Sequence, residues 1–471
     1  MTWDVFDRNL PVGADFLPWY DELVASAQLA DHGPVTGTMV IRPYGYAIWE
    51  AIRRELELRI KACGVDNAYF PLFIPQHYLS RVEELEGLES ELAVVTHAAG
   101  SRLTDPAVVR FSSETVIGEF LGKWIQSYRD LPLRLNQWAN VVRWEENPSL
   151  FMRTNEFLWQ EGHTVHTSRD EAREFARRVQ TEIYQDLMEN VIALPVVAGI
   201  KSRRERSGGP ELNTFTCESM TGDGRALQLG TSVEGGQVFA KAFGIQYLDQ
   251  DGGREYPWTT SWGASTRLIG GLIMGHGDAD GLRLPPLMAP QQVVVLWDTP
   301  AAAKPARDLV ARLREAGLRA TADERVDLAL SARTAQWKVK GVPVRVHVAV
   351  RPDGSATATL SLRLAGQADV EIPIEQSTSH LVALMEIEQT AMLAHARQDR
   401  DARISECDTV THAREAAWHG WAKLPWDRVR GKGENELAVD GVTVRCLQRA
   451  DGTVPDHDDE PDLVAFVARS Y

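Results

Sequence analysis

Between Leu135 and His166 the chain alternates in a way that dictates a sheet, and the alternating residues are the wrong ones for a core. If residues 140–145 and 151–166 are antiparallel strands joined near Glu146-Asn147-Pro148-Ser149-Leu150, the two-residue period puts Arg153, Asn155, Phe157, Trp159, Glu161 and His163 on one face. Arg143 and Glu145 share a face of the other strand. Unpaired buried charges cost several kcal/mol, so such a face either lies in solvent with surface ion pairs or receives a ligand. A polyanion bearing a flat ring suits it, with guanidinium for phosphate, Phe157 for stacking and carboxylates for amines.

A further arginine, Arg267, stands in Ser261-Trp262-Gly263-Ala264-Ser265-Thr266-Arg267, where a strand over 256–261 gives way to a helix carrying Leu268, Ile269, Leu272 and Ile273. In a first helical turn the backbone amides also favour anions. An arginine so placed equally well pairs with a surface carboxylate. Together with Arg143, it would put one cation at each end of a triphosphate, held for in-line attack at the α-phosphorus. Catalysis is then positioning and electrostatic stabilisation, with bound Mg2+ sharing the charge. Upstream, Arg110-Phe111-Ser112-Ser113-Glu114-Thr115 sets a hydroxyl and a carboxylate two residues apart on the same side. That pair can hold an ammonium group, and it is also how a serine capping a helix reads.

Residues 46–63 show helical periodicity through Ile48, Ala51, Ile52, Leu56, Ile60 and Cys63, with Gly64 as a stop and a strand expected over 67–75. A helix framed this way serves a subunit interface or the core of its own monomer. Pro285, Pro286 and Pro290 cannot continue a helix or a central strand, so a boundary falls there. Beyond it strands are expected over 292–297, 318–322 and 342–350 and helices over 303–316 and 377–396, which make a small α/β unit. The chain ends in a mixed, acidic stretch containing Asp456-His457-Asp458-Asp459-Glu460.

At 471 residues the chain is too long for one ordinary core. Its 44% hydrophobic and 25% charged content is that of a soluble globular protein. The balance of 50 basic against 66 acidic side chains, −16 in all, argues against indiscriminate nucleic-acid binding, while a basic patch confined to one face would still dock RNA. No run approaches ~18 uninterrupted apolar residues, and the N-terminus has neither the basic start nor the apolar core of a secretory signal, so a cytoplasmic location is expected. Cys63, Cys217, Cys407 and Cys446 lie far apart with no Cys-x-x-Cys pair, which favours buried or incidental thiols over a disulfide framework or a zinc site.

Taken in order, these segments resemble the three signature motifs of the class II aminoacyl-tRNA synthetases, and specifically the prolyl-tRNA synthetases in their archaeal and eukaryotic-like form. The first motif resembles Gly37 to Pro75. The second resembles Arg143-Trp144-Glu145 through Phe151-Met152-Arg153-Thr154-Asn155-Glu156-Phe157-Leu158-Trp159-Gln160-Glu161-Gly162-His163-Thr164, and the third Thr260 to Pro286. The likeness spans nearly the whole catalytic half and continues more weakly to Tyr471. It implies an α+β fold: a class II antiparallel sheet flanked by helices over 1–285, an α/β anticodon-binding domain over 286–395, and a small α+β C-terminal domain over 396–471. It also implies a homodimer built through the first motif, with no membrane partner.

The activity implied is proline–tRNA ligation: proline and ATP give prolyl-adenylate, and tRNA(Pro) accepts the prolyl group. By position, Ser112 and Glu114 fall where the family binds the imino group. Arg143 would hold the amino-acid carboxylate and the α-phosphate, Glu145, Arg153 and Thr154 the ATP, and Phe157 the adenine. Trp159, Glu161 and His163, with Ser261 and Gly263, would line the proline pocket. Gln228 and Thr231 match adenosine and metal-side contacts, and Arg267 the γ-phosphate arginine, which makes Arg143 and Arg267 the catalytic pair.

The departures from the family cluster. Ser112 keeps a hydroxyl but loses a methyl, Ser207 replaces an aromatic wall of the pocket, and Val233 replaces a histidine, so the pocket is expected to be wider or re-shaped. After Trp337-Lys338-Val339-Lys340-Gly341 the usual Gly-Pro-Arg/Lys-Asp turn is Arg351-Pro352-Asp353-Gly354, which weakens the tRNA signal. The four-cysteine zinc site retains only Cys407 and Cys446, with Gly420 near where a ligand is expected, so no zinc is expected. These departures suit a working synthetase that has drifted or become a second copy. They also suit a paralogue that activates proline or a proline-like amino acid for a non-tRNA acceptor in a biosynthetic or resistance role.

Overall fold

The computed structural model describes residues 16–81, 88–206, 212–363 and 369–471. The periodic segment of the first motif is a helix, Pro43–Ala62, with proline in its first turn, where a missing N–H costs nothing. It stops at Gly64, whose φ of +70° an L side chain adopts only with strain. Ile48, Ile52, Leu56 and Ile60 form one fully buried stripe, each contributing about 1.5–3 kcal/mol of gross burial. The continuous strand expected over 67–75 is instead two short ones, Asp66–Asn67 and Phe73–Pro75, in different sheets. Pro71 lies between them and has no N–H to continue a ladder.

The main sheet has eleven strands among the described residues. Its central run is Val196–Ile200, Asn213–Met220, Ala226–Gly236, Trp258–Ser265, Glu156–His166 and Leu133–Val142, each antiparallel to the next. The hairpin is therefore offset from the expected 140–145 and 151–166: its first arm starts earlier, its second starts later, and 143–155 is a structured connection. The Arg143 N–H donates to the Asn155 carbonyl at 2.9 Å and the Asn155 N–H to the Gly37 carbonyl at 2.8 Å, so this backbone bonds across to the first motif. Phe151 at φ +61°, three residues after Pro148, ends any extended ladder there. The third-motif strand runs through Gly263 to Ser265, four residues beyond the expected end at 261, and helix Arg267–His276 follows it. That helix packs closely, since a Cβ on Gly275 would come within 2.2 Å of Leu194.

Past the three prolines, a five-stranded sheet runs Ala320–Ala322, Val293–Leu296, Val344–Val350, Ala356–Leu362, Val370–Pro373, the first three parallel and the last two antiparallel. It is buckled to the core. The Leu282 N–H donates to the Val339 carbonyl at 2.9 Å, and buried Arg363 donates to both oxygens of buried Asp278, one bond at 3.0 Å. Helix Ser377–Ala402 then returns the chain to the core, running six residues beyond the expected end at 396.

The last strands, Ile404–Glu406, Trp421–Pro425, Val464–Arg469 and Val442–Gln448, extend the main sheet, joined to it where Leu447 faces Ile200. A buried ionic cluster seals this seam. The fully buried Glu218 carboxylate accepts from Lys201 Nζ at 2.7 Å and Thr216 Oγ1 at 2.8 Å on one oxygen, and from Arg445 at 3.0 and 3.2 Å on the other. The acidic 456–460 run is likewise engaged: Arg449 pairs with Glu460 at 2.7 Å, and Arg177 with Asp456.

Candidate active site

Two cross-strand rows make the floor of the site. Gln137, Glu161, Gly263 and Thr231 stand side by side on four neighbouring strands, and the next row is Leu135, His163, Ser261 and Val233. Rows two residues apart present the same face of a sheet. Phe157 and Trp159 continue that face, their rings 6.1 Å apart and edge to face at 89°. Over it opens a cavity of about 340 Å³, whose lining includes Ser112, Glu114, Arg143, Phe157, Trp159, Glu161, His163, Gln228, Thr231, Val233, Ser261, Gly263 and Arg267. Glu145, Arg153 and Thr154 do not line it. They stay in the 143–155 connection, where Thr154 Oγ1 donates to the Glu156 carbonyl at 2.7 Å and Arg153 donates to the Tyr471 carbonyl at 3.1 Å. Ser207 lies outside the described residues.

Helix Glu114–Trp124 delivers the upstream pair. Its Glu114 N–H donates to Ser112 Oγ at 3.2 Å, so the serine does pre-pay one helix-end donor while both residues line the cavity. The Arg143 guanidinium is held by the neighbouring Phe111 carbonyl at 3.1 Å and lies 5.9 Å from the Phe157 ring and 5.4 Å from the Trp159 ring. Burial lowers its pKa and Glu91, Glu161, Glu145 and Glu114 oppose that, which leaves it a fixed cation among carboxylates.

Arg267 is the first residue of its helix, with its Nε on the Met152 carbonyl at 3.1 Å. Burial, then repulsion from Arg153 and Arg143, brings its pKa down to about 10, with Glu145 and Glu218 pulling the other way. It remains charged at neutral pH. Two guanidinium groups lining one cavity, with Arg153 near enough to repel Arg267, are a preorganised seat for a polyanion. Below them His163 is held above its ordinary 6.5: burial opposes protonation, but Glu161 and Glu114 outweigh it.

The residue that sequence reasoning missed is Gln137, buried in the floor in register with Glu161. Its own strand gives no sign of it; only the pairing register, once known, brings it beside the carboxylate. A larger groove of about 970 Å³ lies between the core and the C-terminal strands. Its cations are already engaged, Arg397 by Glu189, Lys423 by Glu406 and Arg449 by Glu460. Among the described residues no group of three or more His, Cys, Asp or Glu is placed to hold a metal ion, and the four cysteines are buried free thiols. At Gly420 a Cβ would lie 2.1 Å from the Arg403 carbonyl, so no ligand side chain fits there. No helix among the described residues is long and apolar enough to cross a membrane.

Residues 100–276 match the family model for the tRNA synthetase class II core domain (G, H, P, S and T). A proline–tRNA ligase of Frankia casuarinae is 52% identical over 461 residues, covering 97% of this chain and 98% of that protein. Proline–tRNA ligase 2 of Streptomyces avermitilis is 50% identical over 466 residues, 98% of each chain. Among solved structures, the prolyl-tRNA synthetase of Cryptosporidium parvum complexed with L-proline and AMP superposes with a TM-score of 0.87 at 33% identity, covering 97% of this chain and 95% of that one. The same enzyme with halofuginone and AMPPNP gives 0.89, covering 98% and 97%.

Proposed function

The chain belongs to the class II prolyl-tRNA synthetases, and from that premise we propose how its cavity performs the ligation. The protein is a proline–tRNA ligase: it uses ATP to activate proline as prolyl-adenylate and transfers the prolyl group to tRNA(Pro). Relatives at 50–52% identity over nearly the full length are all such ligases, so the non-tRNA acceptor is set aside.

One observation carries the assignment of roles: Arg143 and Arg267 line the same cavity, just past the ends of strands Leu133–Val142 and Trp258–Ser265 and on the same side of the Glu161 row. In this reading Arg143 neutralises the proline carboxylate and then the α-phosphate, so that the two reacting groups meet on one cation. Arg267 anchors the γ end, keeping the leaving pyrophosphate in line. Phe157 stacks on the adenine, with Gln228 and Thr231 along the nucleotide. Ser112, Glu114, Trp159, Glu161, His163, Ser261 and Gly263 enclose the pyrrolidine ring and its imino group. Glu145, Arg153 and Thr154, beside Arg267 on the 143–155 connection, engage the triphosphate as it fills the cavity. Mg2+ bound with ATP would share the phosphate charge beside Arg143 and Arg267.

The unit over 286–395 serves as the anticodon-binding domain, supported by Trp337 with Lys340 Nζ 5.3 Å from its ring. The C-terminal unit, 396–471, works without zinc, supported by the two cysteines it carries, Cys407 and Cys446, and by the Arg445–Glu218 pair that ties it to the main sheet. We assign the chain to the archaeal and eukaryotic-like form, because no separate domain is inserted between the second and third motifs and the Cryptosporidium parvum structures cover 97–98% of this chain. It works in the cytoplasm as a homodimer, supported by the exposed apolar residues of the first motif, Leu58 at 60%, Tyr69 at 72% and Phe73 at 56%. A monomer in sedimentation would remove that last assignment. The function itself is tested by proline-dependent ATP–pyrophosphate exchange followed by charging of purified proline tRNA against total tRNA. Absence of proline-dependent exchange would overturn it.

A further inference from the structure

Gln137 is 1% exposed, and every hydrogen-bonding position of its carboxamide that faces a partner is used. Its oxygen accepts from the Phe70 N–H, which leaves the nitrogen pointing the other way. That nitrogen donates to Glu161 Oε1 at 2.7 Å and to Ser113 Oγ at 2.7 Å. The flipped amide would set an oxygen against the Glu161 carboxylate and an N–H against the Phe70 N–H, so the orientation is locked by the Phe70 backbone. The second Glu161 oxygen accepts from the Ser113 N–H at 3.2 Å and lies 3.5 Å from His163 Nε2. A donor fixed on each side stabilises the anion and fixes the plane of the carboxylate.

Resting on the assignment of Glu161 to the proline subsite, we propose that Gln137 is a positioning residue for proline activation, holding the Glu161 carboxylate ionised and at one orientation in the pocket wall. The charged groups facing Glu161 come from three elements: His163 from its own strand, Glu114 from helix Glu114–Trp124, and Arg143 from the 143–155 connection, itself flanked by Glu91 and Glu145. Glu161 titrates below the ordinary carboxylate range: burial opposes this, and His163 and Ser113 outweigh it. Replacing the amide donor by an apolar group of similar shape removes one of the bonds that favour the anion.

The test is proline-dependent ATP–pyrophosphate exchange, measured across pH on the full chain for the parent, Gln137→Met, Gln137→Glu and Glu161→Gln. Gln137→Met should raise the proline KM roughly tenfold, leave the ATP KM unchanged, and move the acid limb of kcat/KM up by about one pH unit. A role only in packing would lower thermal stability without moving that limb. Gln137→Glu should exchange better on the acid side, where its protonated carboxyl donates to Glu161, than on the alkaline side, where two carboxylates repel. This variant decides the matter if the methionine protein fails to fold, since a flat profile overturns the proposal. Impaired Glu161→Gln beside a Gln137→Met protein with normal proline KM and acid limb overturns the role of Gln137 alone. Normal proline KM in Glu161→Gln overturns the subsite reading beneath it.

Discussion

Glu218→Gln is the change that most directly tests how the C-terminal strands are held. The substitution keeps shape and removes one negative charge, leaving Lys201 and Arg445, both nearly buried, without the anion that compensates them. Burial alone would raise the Glu218 pKa, but Arg445 and Lys201 bring it down to about 2 from an ordinary 4.5. At about 1.4 kcal/mol per pH unit, that depression corresponds to roughly 3 kcal/mol of stability at neutral pH. Breaking a buried pair by deleting one partner independently suggests about 3–5 kcal/mol. The loss should appear as local opening. Amide hydrogen exchange of strand Val442–Gln448 should be roughly a hundredfold faster in the variant at neutral pH. Because the folded pKa is depressed, the stabilisation is fully present above about 4.5 and is lost as pH falls toward about 2, so the gap between parent and variant must close over that window. The triple change Lys201→Met, Glu218→Leu, Arg445→Met, which removes all three charges together, should recover most of the loss. An exchange ratio under about tenfold, or one that stays constant on acidification, would refute the reasoning.

Two further predictions concern the cavity. Arg267→Ala should lower the rate of adenylate formation by ~10²-fold or more with little change in the proline KM, because it removes a phosphate contact that matters most in the transition state; a near-normal exchange rate would take Arg267 out of the mechanism. Ser112 and Val233 line the cavity at two positions where the resemblance implies bulkier side chains, so ring-substituted prolines should support exchange with a penalty smaller than the ~1–3 kcal/mol per methylene of a closed pocket; strict preference for unsubstituted proline, measured in parallel, would count against a widened pocket.

The parts of this molecule that were legible in the sequence are those whose signal is local. The stripe from Ile48 to Ile60 announces its helix through spacing alone, and the two-residue period places Phe157, Trp159, Glu161 and His163 on one face before any coordinate is known. The ends of the hairpin were not legible, because residues 143–155 keep an extended-looking pattern while their backbone bonds to Gly37, more than a hundred positions away. Gln137 was invisible for a related reason: its significance is a register relation to Glu161, and register belongs to a pair of strands. The union of the last strands with the main sheet uses the facing pair Leu447 with Ile200, the bridge of Ser470 to Ala226 and Arg445 reaching Glu218, none of which leaves a pattern in its own neighbourhood.

The boundary marked by the three prolines is not a tether. Gly281, at φ +132°, sits with its Cα against Val339 so closely that a Cβ would lie 2.5 Å from that backbone, and the Asp278–Arg363 pair closes the other side of the same joint. A loose joint would let the five-stranded unit sample many distances from the cavity and merely raise the local concentration of whatever it grips. A clamped one works as a caliper. In the anticodon-binding role proposed for this unit, the span between the two ends is set in advance, and a folded RNA of the wrong length or bend would meet only one jaw.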